Sequence, residues 1–238
     1  MMWNVLGVVY CHEMLEAGME LIESIQSRRS IRAFRSTPVP QDTLKKVLTL
    51  AGRSPSYANT QPWEVAVVTG ERRNALGKIL KDLASSGTPP NPDIPSPQRW
   101  PEMIGQRLTE HGAKRFRALG IDRANQEQRE QLRLANYEFY GAPCALFLFI
   151  DSSLSTWSIF DMGLFAQNIL LVSHSLGLGS CLQAILVNYP QAVRTFLGLP
   201  STKLLVIGIS IGYLDEEALI NTYRSDRINP DDFVFWYD

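Results

Sequence analysis

Residues 158–176 place the strongest constraint on the fold, because apolar side chains surround almost the whole circumference of the helix that their spacing predicts. Gly163, Ala166 and Ser173 interrupt the run with small side chains that permit the close approach of another helix. A helix with no polar face has to be buried on all sides. The sequence therefore predicts a buried helix, in the core of the domain or in a dimer interface.

Two shorter runs, residues 144–150 and 204–212, are almost wholly apolar and are typical of strands covered on both faces. Residues 63–69 are predicted to form a buried strand, and residues 181–187 the start of another. Further helices are expected to end near Arg28 and to cover residues 42–51, 71–83, 101–119, 125–140 and 190–197. Because helices outnumber strands and the strands are irregularly spaced between them, the sequence predicts an α+β domain with a small mixed sheet flanked by helices.

One domain is expected to span residues 1–238, because no second independent core is evident. Residues 85–101 contain many Pro, Ser and Gly residues, which excludes regular structure, and charged helical segments follow up to residue 140. Residues 85–140 are therefore interpreted as an excursion from the domain and not as a linker between two domains.

Charge and hydropathy exclude several classes of function. The 23 Lys and Arg residues nearly balance the 24 Asp and Glu residues, and a net charge of -1 does not produce the field that holds nucleic acid or an anionic membrane. No apolar run reaches the length of a membrane span, and residues 1–10 carry neither the basic start nor the cleavage pattern of a secretory signal. Neither a nucleic-acid partner nor a membrane is expected.

The cysteines and histidines do not show the spacing of metal ligands. Cys11, Cys144 and Cys181 are odd in number and far apart, so buried free thiols in a reducing, cytoplasmic setting are expected in place of disulfides. The histidines have no Cys, Asp or Glu partner at ligand spacing, and hydrogen-bonded structural roles are expected for His12, His111 and His174. No metal site is predicted.

The stretch Arg28-Arg29-Ser30-Ile31-Arg32 brings several guanidinium groups and a hydroxyl together, which suits bidentate binding of phosphate. A solvated basic patch at a helix end is the commoner explanation of such a run taken alone. The amides and hydroxyls of the loop at residues 54–63 can reach a polar heterocycle, although a simple turn-rich loop explains the same composition. A Gly-rich turn before Leu182-Gln183-Ala184 and two late arginines, Arg224 and Arg227, favour the functional interpretation.

Four stretches in this order make the sequence similar to the FMN-dependent nitroreductase family, and in particular to its nitrobenzoate-reductase-like branch: residues 27–34, 54–63, 177–184 and 223–227. The resemblance extends from about residue 20 to the C-terminus. It implies a nitroreductase-like fold with a small, mainly antiparallel central sheet, in an intertwined homodimer whose C-terminal tail extends onto the partner. FMN is the implied cofactor, and NAD(P)H and a small-molecule electron acceptor are the implied partners.

The residues implied to contact FMN fall into three groups. The flavin phosphate, ribityl chain and pyrimidine edge are bound by Arg28, Arg29, Ser30 and Arg32, with Arg224 and Arg227 completing the phosphate clamp. The loop that carries Pro55, Ser56 and Asn59 comes from the dimer partner. Backbone N–H groups at Leu182, Gln183 and Ala184 face the reactive nitrogen of the flavin. The branch usually has Pro where Leu182 stands, and Asn229 adds a residue between Arg227 and Pro230.

Enzymes of this family work by a ping-pong mechanism, so the resemblance implies that NAD(P)H delivers electrons which then pass to a nitroaromatic or similar electron-poor molecule. No catalytic side chain is expected, because the flavin carries the redox chemistry. Residues 85–140 are where the family varies and form its lid, and the candidate acceptor contacts there are Trp100, Gln106, Arg115, Phe116, Asn136 and Tyr140. Simple packing of the lid explains each of these residues equally well when it is considered singly.

Two other classes of function remain open from the sequence. A relative with the same fold can catalyse other chemistry, such as reductive dehalogenation, enone reduction, free-flavin reduction or flavin fragmentation. A non-catalytic flavin-binding or helical interaction protein would use the lid to hold a partner. The Gly, Pro and aromatic residues of the lid, in place of a continuous apolar stripe, favour a substrate pocket.

Overall fold

A four-stranded sheet with the strand order β1-β2-β4-β3 forms the centre of the fold. The structure, a computed structural model, describes residues 19–238. The strands are β1 (Glu64–Thr69), β2 (Cys144–Asp151), β3 (Gly179–Gln183) and β4 (Lys203–Gly212), and each neighbouring pair is antiparallel. The parallel element that makes the predicted sheet mixed is one isolated bridge, between Ser30 and Ser180.

Seven helices surround the sheet in the described part of the chain. They are α1 (Leu21–Ser27), α2 (Gln41–Ala51), α3 (Gly70–Ser85), α4 (Glu102–Ala118), α5 (Gln126–Ala135), α6 (Thr156–Ser175) and α7 (Pro190–Leu197). All lie where the apolar periodicity predicts helices, except that α5 ends five residues early, at Ala135 in place of residue 140. The chain has to turn there into β2, and Phe139 and Tyr140 adopt left-handed backbone conformations with φ of 57° and 54°.

Strand β2 is buried on both faces, as its unbroken apolar run predicts, and only Asp151 at its end is partly exposed. Alternate side chains of a strand point to opposite faces. Leu146 and Leu148 are on either side of Phe147: the two leucines join the cluster formed with α2 and α6, and Phe147 joins the cluster formed with α3 and α7. The sheet therefore separates two apolar cores, each closed by a pair of helices.

Strand β1 corrects the prediction of a buried strand at residues 63–69. Only Val68 of this strand is buried. The reason is position, because β1 pairs with β2 on one side alone and forms an edge of the sheet. A run of Val and Ala residues is compatible with an edge strand as well as a central one.

The strand predicted to begin at Cys181 ends at Gln183, and a 3-10 helix, Ala184–Val187, follows it. Leu186 on this helix is fully buried beneath β4. A Cβ atom at Gly208 of β4 would lie 2.6 Å from Leu186 Cδ1, so the close packing depends on a glycine at that position. The chain leaves the sheet here because the side chain of Leu186 enters the second core.

Helix α6 is buried over most of its surface, as predicted, but its first turns are partly exposed. Met162, Phe165 and Ile169 are buried against the sheet. Trp157 and Phe160, near its start, remain 61% and 60% exposed in the protomer. Gly163, predicted to permit a close helix approach, would place its Cβ within 4 Å of no other described atom, so that approach is not made inside one protomer.

The described cysteines, Cys144 and Cys181, are buried free thiols, as predicted. Burial raises the pKa of the Cys144 thiol to about 12, which keeps it protonated and unreactive at neutral pH. Cys11, His12 and residues 1–10 lie outside the described residues. None of the helices from residue 19 onward is long and apolar enough to cross a membrane.

Candidate functional site

The basic stretch at residues 28–32 lies along the free edge of β3. Helix α1 ends at Ser27, and the chain then runs in extended form beside the strand, where Ile31 N–H donates to the Ser180 carbonyl at 2.9 Å. A Cβ atom at Gly179 would lie 2.8 Å from Ile31 Cγ1, so a glycine allows this close approach. The guanidinium groups of the stretch are thereby fixed at one edge of the sheet.

Asn221 ties the C-terminal segment to this same edge. The residue is 2% exposed, and its side chain accepts from the Arg32 N–H at 2.7 Å and donates to the carbonyls of Ala33 and Asp215, both at 2.8 Å. Its own carbonyl accepts from Arg29 Nε at 2.9 Å. Sequence reasoning missed Asn221, because a single asparagine in a polar tail carries no distinguishing pattern.

Two pairs of arginines come together as a result. Burial lowers the pKa of Arg28, and the nearby Arg227 guanidinium lowers it further. Burial and then Arg224 act in the same direction on the pKa of Arg29. Within residues 19–238 none of these four side chains forms an ion pair with a carboxylate. Two half-buried arginines beside two exposed ones, without a carboxylate partner among residues 19–238, form a positive site suited to an anion.

The lid contributes a further cation next to this site, Arg115 in the last turn of α4. Burial is the main cause that lowers the pKa of Arg115, and the neighbouring Arg32 adds to it. Tyr140 and Cys181 lie in the same neighbourhood and affect the same group. Arg115 also lies 5.8 Å from the centre of the Phe116 ring. Arg115, Phe116 and Tyr140 of the predicted acceptor contacts are thus placed beside the arginine site.

A chain of hydrogen bonds fixes the end of β3. Tyr140 OH donates to Asn136 Oδ1 at 2.6 Å, and Gln183 Nε2 donates to the Asn136 carbonyl at 3.0 Å. Ser210 Oγ donates to Gln183 Oε1. The Gln183 side chain is therefore buried and fully occupied, whereas its neighbours Leu182 and Ala184 are exposed at the surface.

Other predicted contacts are not brought to the arginines. Trp100 is 50% exposed, and Gln106 is exposed on α4 with a 3.4 Å hydrogen bond to Glu102. No hydrogen bond or ring contact among the described residues joins either one to the arginine site. Their role in an acceptor pocket stays a prediction.

The loop at residues 54–63 is anchored to α6 at two levels: Asn168 Nδ2 donates to Ser54 Oγ at 2.7 Å in the second half of the helix, and Tyr57 is bound near the helix start. Tyr57 N–H donates to both carboxylate oxygens of Asp161, at 3.2 and 3.1 Å, near the start of the helix. Ser27, next to the basic stretch, is hydrogen-bonded at 2.8 Å to His174 Nε2, in the last turn. The helix rises about 1.5 Å per residue, so the Tyr57 anchor at Asp161 is about 20 Å from His174, whereas the Ser54 anchor at Asn168 is about 9 Å from it. Ser56 and Asn59, next to Tyr57, therefore lie toward the far end of α6, and Pro55 lies between the two anchors.

His111 and His174 are hydrogen-bonded, as predicted for structural histidines. His111 Nδ1 lies 3.2 Å from Tyr223 OH, and His174 bonds to Ser27. Burial and nearby arginines lower the pKa of both imidazoles, which favours their neutral form. Both rings lie at the border of the arginine site and respond to its charge.

Comparison with known proteins places this arrangement in a family. The family model described as "Nitroreductase family" matches residues 25–213. The chain is 33% identical over 203 residues to a 4-nitrobenzoate reductase of Pseudomonas putida, with 85% of this chain and 89% of the relative covered. It is 37% identical over 204 residues to nitroreductase NfnB of Mycolicibacterium smegmatis, with 85% of this chain and 86% of the relative covered.

The fold agrees with the same assignment. The crystal structure of the FMN-dependent nitroreductase NfnB from Mycobacterium smegmatis in complex with NADPH superposes with a TM-score of 0.87 at 33% identity, and covers 91% of this chain and 97% of that one. The chain belongs to the nitroreductase family.

Proposed function

We propose that this protein is an FMN-dependent oxidoreductase that transfers electrons from NAD(P)H to nitroaromatic or similar electron-poor small molecules. The observation that carries the proposal is the group of partly buried arginines at the edge of β3, which have no carboxylate partner among residues 19–238. Its relatives are named as 4-nitrobenzoate reductases and nitroreductases, and one solved relative is described as FMN-dependent and in complex with NADPH.

The side chains at this edge fit the chemistry of FMN. Its phosphate is an anion, and guanidinium groups bind phosphate with paired, charge-assisted hydrogen bonds. The exposed residues Leu182 and Ala184 provide a surface for a flat ring beside those cations. The residues proposed to hold FMN within one protomer are Arg28, Arg29, Ser30, Arg32, Leu182, Gln183, Ala184, Arg224 and Arg227.

FMN, when bound, supplies the capacity to take up and pass on an electron pair. The protein binds and orients, and no side chain needs to act as a nucleophile or as a metal ligand. Asn221 keeps the two arginine segments in register, and the hydrogen bonds from Tyr140 through Gln183 hold the end of β3 in place. Arg32 adds positive charge at the end of the site away from the phosphate, which favours a negatively charged ring system.

We also propose that the active unit is a homodimer and that the loop with Pro55, Ser56 and Asn59 completes the site of the partner. The tip of the loop supports this arrangement, because Tyr57 is held at Asp161, about 20 Å along α6 from His174 beside the basic stretch. The exposed aromatic tail supports the proposal that it extends onto the partner, since Phe235 and Trp236 are 79% and 85% exposed. We treat residues 1–238 as one domain with a lid at about 85–140, acting in the cytoplasm, where buried free thiols stay reduced.

The test is the colour and reactivity of the purified protein. We expect it to be yellow with bound FMN, to lose that absorbance anaerobically when NADH or NADPH is added, and to regain it on addition of nitrobenzene. A protein that neither retains FMN nor takes it up would contradict the proposal. A protein that binds FMN tightly but is not reduced by either nicotinamide would be a flavin-binding protein without this activity.

A further inference from the structure

Arg115 is a guanidinium group inside the site that no anion satisfies. Its Nε atom is buried without a hydrogen-bond partner, and its side chain forms no ion pair with any carboxylate of residues 19–238. Arginine stays charged at neutral pH. Arg115 is half-buried, and its Nε is shut off from solvent without a hydrogen-bond partner, so an anionic ligand that engages this guanidinium would relieve that cost.

The end of helix α4 does not by itself account for this cation. Carbonyl groups at a helix C-terminus attract positive charge, and both Arg115 and Arg117 lie in the last turn. Arg117 is exposed to solvent, as expected for a cation whose only favourable interaction is with the helix dipole. Lys114, also exposed, pairs with Asp226 at 2.6 Å and so engages a carboxylate close to the site. Of these three cations, only Arg115 turns into the site.

Arg115 is also separate from the cations proposed to hold the FMN phosphate. Arg28 is paired in space with Arg227, and Arg29 with Arg224. The charged neighbour that affects Arg115 most is Arg32, which stands at the end of the basic stretch. The six arginines thus form a group of four and a group of two.

Aromatic side chains accompany the smaller group. The Phe116 ring lies 5.8 Å from the Arg115 guanidinium, and Tyr140 is close to both Arg115 and Arg32. The Tyr140 hydroxyl donates its proton to Asn136 Oδ1, so that donor is already in use. A pair of cations beside aromatic rings suits a flat molecule with a carboxylate at one end.

We propose that Arg115, assisted by the charge of Arg32, binds the carboxylate of an aromatic acid that serves as electron acceptor. The proposal rests on the proposed function and names its preferred substrate class. The same anionic chemistry could come from a phosphate of the nicotinamide cofactor, and the experiments below separate the two sources.

Binding of an unreactive acid tests the subsite without turnover. Benzoate is titrated into the FMN-loaded protein and followed by the change in flavin absorbance, with neutral benzamide as the matched probe. We expect Arg115→Gln to weaken benzoate binding by about 10- to 100-fold and to leave benzamide binding within about 2-fold. Arg115→Lys should retain part of the affinity for benzoate, and Arg117→Gln, the control on the same helical turn, should retain all of it.

Kinetics separate the acceptor from the nicotinamide. With saturating NADH, Arg115→Gln should lower kcat/KM for 4-nitrobenzoate by about 10- to 100-fold and leave kcat/KM for nitrobenzene within about 2-fold. Equal losses for both acceptors would overturn the proposal. A loss confined to the KM for NADPH would also overturn it and would assign Arg115 to the nicotinamide phosphate.

Different results would contradict the proposed function and the carboxylate subsite. If the wild-type protein reduces neither nitrobenzene nor 4-nitrobenzoate, the proposed function is wrong. If it reduces nitrobenzene while Arg115→Gln binds benzoate as tightly as wild type, the function stands and the carboxylate subsite is wrong.

Discussion

The charge of individual arginines dominates the site at the scale of residues. Arg28 is half-buried and lies near the Arg227 guanidinium, and burial and then this neighbouring charge both lower the pKa of Arg28. A phosphate between such groups replaces repulsion by attraction. The arrangement of Arg28 and Arg227 therefore favours phosphate binding but lowers the free energy of unfolding of the FMN-free protein.

Replacement of Arg28 tests this relation between affinity and stability. Arg28→Ala should weaken FMN binding by about 1.5–3 kcal/mol, the range for hydrogen bonds to charged groups. The FMN-free variant should unfold at the same or a higher temperature than FMN-free wild type, because one repulsive charge is gone. Fluorescence titration of FMN and thermal melts measure the two quantities, and Arg123→Ala on the exposed lid is the control. A variant with normal FMN affinity would show that Arg28 does not hold the phosphate.

The pKa of His174 depends on the same arginine charges. Burial lowers the pKa of its imidazole below the ordinary value of 6.5, and Arg29 and Arg28 lower it further, while Glu23 opposes them. We expect Arg29→Ala to raise this pKa and Glu23→Gln to lower it, and addition of FMN to raise it in the wild-type protein. NMR titration of the imidazole resonances, assigned with His174→Gln, measures the shifts. A pKa that does not change when FMN binds would place the anion elsewhere.

The sign of the pH dependence follows from the same shift. The folded protein favours the neutral imidazole, so the unfolded chain binds more protons below pH 6.5. The contribution of His174 to stability is complete above that pH and declines as the pH falls toward the lowered folded-state pKa. His111, whose pKa is also lowered, acts in the same direction.

At the scale of elements, the loop between α2 and β1 depends on one buried carboxylate. Asp161 is 2% exposed and accepts the Tyr57 N–H with both oxygens. The loop contains left-handed backbone conformations at Ala58, Asn59 and Gln61, with φ of 48°, 58° and 47°. Such conformations persist in residues other than glycine only where the surroundings hold them.

Removal of that carboxylate should loosen the loop. Asp161→Ala is expected to lower the free energy of unfolding by about 1.5–3 kcal/mol and to accelerate hydrogen exchange at Tyr57, because the N–H loses its charged acceptor. Asp161→Asn keeps one acceptor oxygen and should show a smaller effect on both quantities. Urea unfolding and exchange mass spectrometry measure them. Unchanged exchange at Tyr57 in the alanine variant would contradict a positioning role for Asp161.

The start of the lid is anchored by a buried ion pair. Arg194 on α7 pairs with Asp93, and the side chains are 8% and 12% exposed. Asp93 also accepts the Leu205 N–H at 2.8 Å, and Arg194 donates to the Lys203 carbonyl at 3.0 Å. The segment at residues 86–101 has no regular structure, as its composition predicts, yet this pair ties it to β4.

Replacing one partner of the pair should lower the free energy of unfolding more than replacing both partners. Asp93→Ala leaves a buried guanidinium without its partner and should lower the free energy of unfolding by about 3–5 kcal/mol. The double variant Asp93→Ala with Arg194→Met should recover part of this loss, since no unpaired charge remains. Urea denaturation of wild type, of the single variants Asp93→Ala and Arg194→Met, and of the double variant gives the coupling free energy between the two side chains. Losses that simply add would show that the pair is solvated and of little consequence.

The sequence predicts a helix or strand well where its structure depends on neighbouring residues in the chain, and poorly where it depends on distant ones. Helices α2 and α7 and strands β2 and β4 follow from apolar periodicity or from unbroken apolar runs. The exposure of β1 does not, because it depends on a pairing with β2 about eighty residues away in the chain, which local composition does not encode. The early end of α5 and the 3-10 helix after Gln183 arise from tertiary packing in the same way.

The site shows the same limit. The basic stretch and the late arginines were predicted to act together through a resemblance to a family, and composition alone favoured a solvated patch. Asn221 and Asp161, which hold the two halves of the proposed site, are isolated polar residues whose importance appears only once their burial is known. Arg115 was one of six lid candidates, and its buried Nε atom distinguishes it from Trp100 and Gln106.

At the scale of the whole molecule, large apolar side chains on two separate helices, α1 and α6, remain exposed in the protomer. Ile22 and Ile25 on α1 are 70% and 54% exposed, and Trp157 and Phe160 on α6 are 61% and 60% exposed. Large apolar patches of this kind mark interaction surfaces. They support the proposed homodimer, in which the loop at residues 54–63 of one protomer reaches the arginines of the other.

The aromatic tail provides the sharpest test of that assembly. Phe235→Ser with Trp236→Ser should weaken the dimer by at least about tenfold, because each large side chain buries enough apolar area on a partner to contribute more than about 1.4 kcal/mol. Sedimentation velocity over a range of protein concentrations measures this change. Ile79→Ser, an exposed residue of α3 away from these elements, is the control and should leave the dimer intact.

Loss of the dimer and loss of the cofactor should then be coupled in one direction only. If each site needs the partner's loop, the tail variant should release FMN as it dissociates, and its FMN affinity should rise with protein concentration. Arg28→Ala, by contrast, should lose FMN while it stays dimeric, because it changes the phosphate clamp and no proposed interface residue. A tail variant that is monomeric and still binds FMN with wild-type affinity would show that one protomer holds the whole site, and the proposed exchange of loops would be wrong.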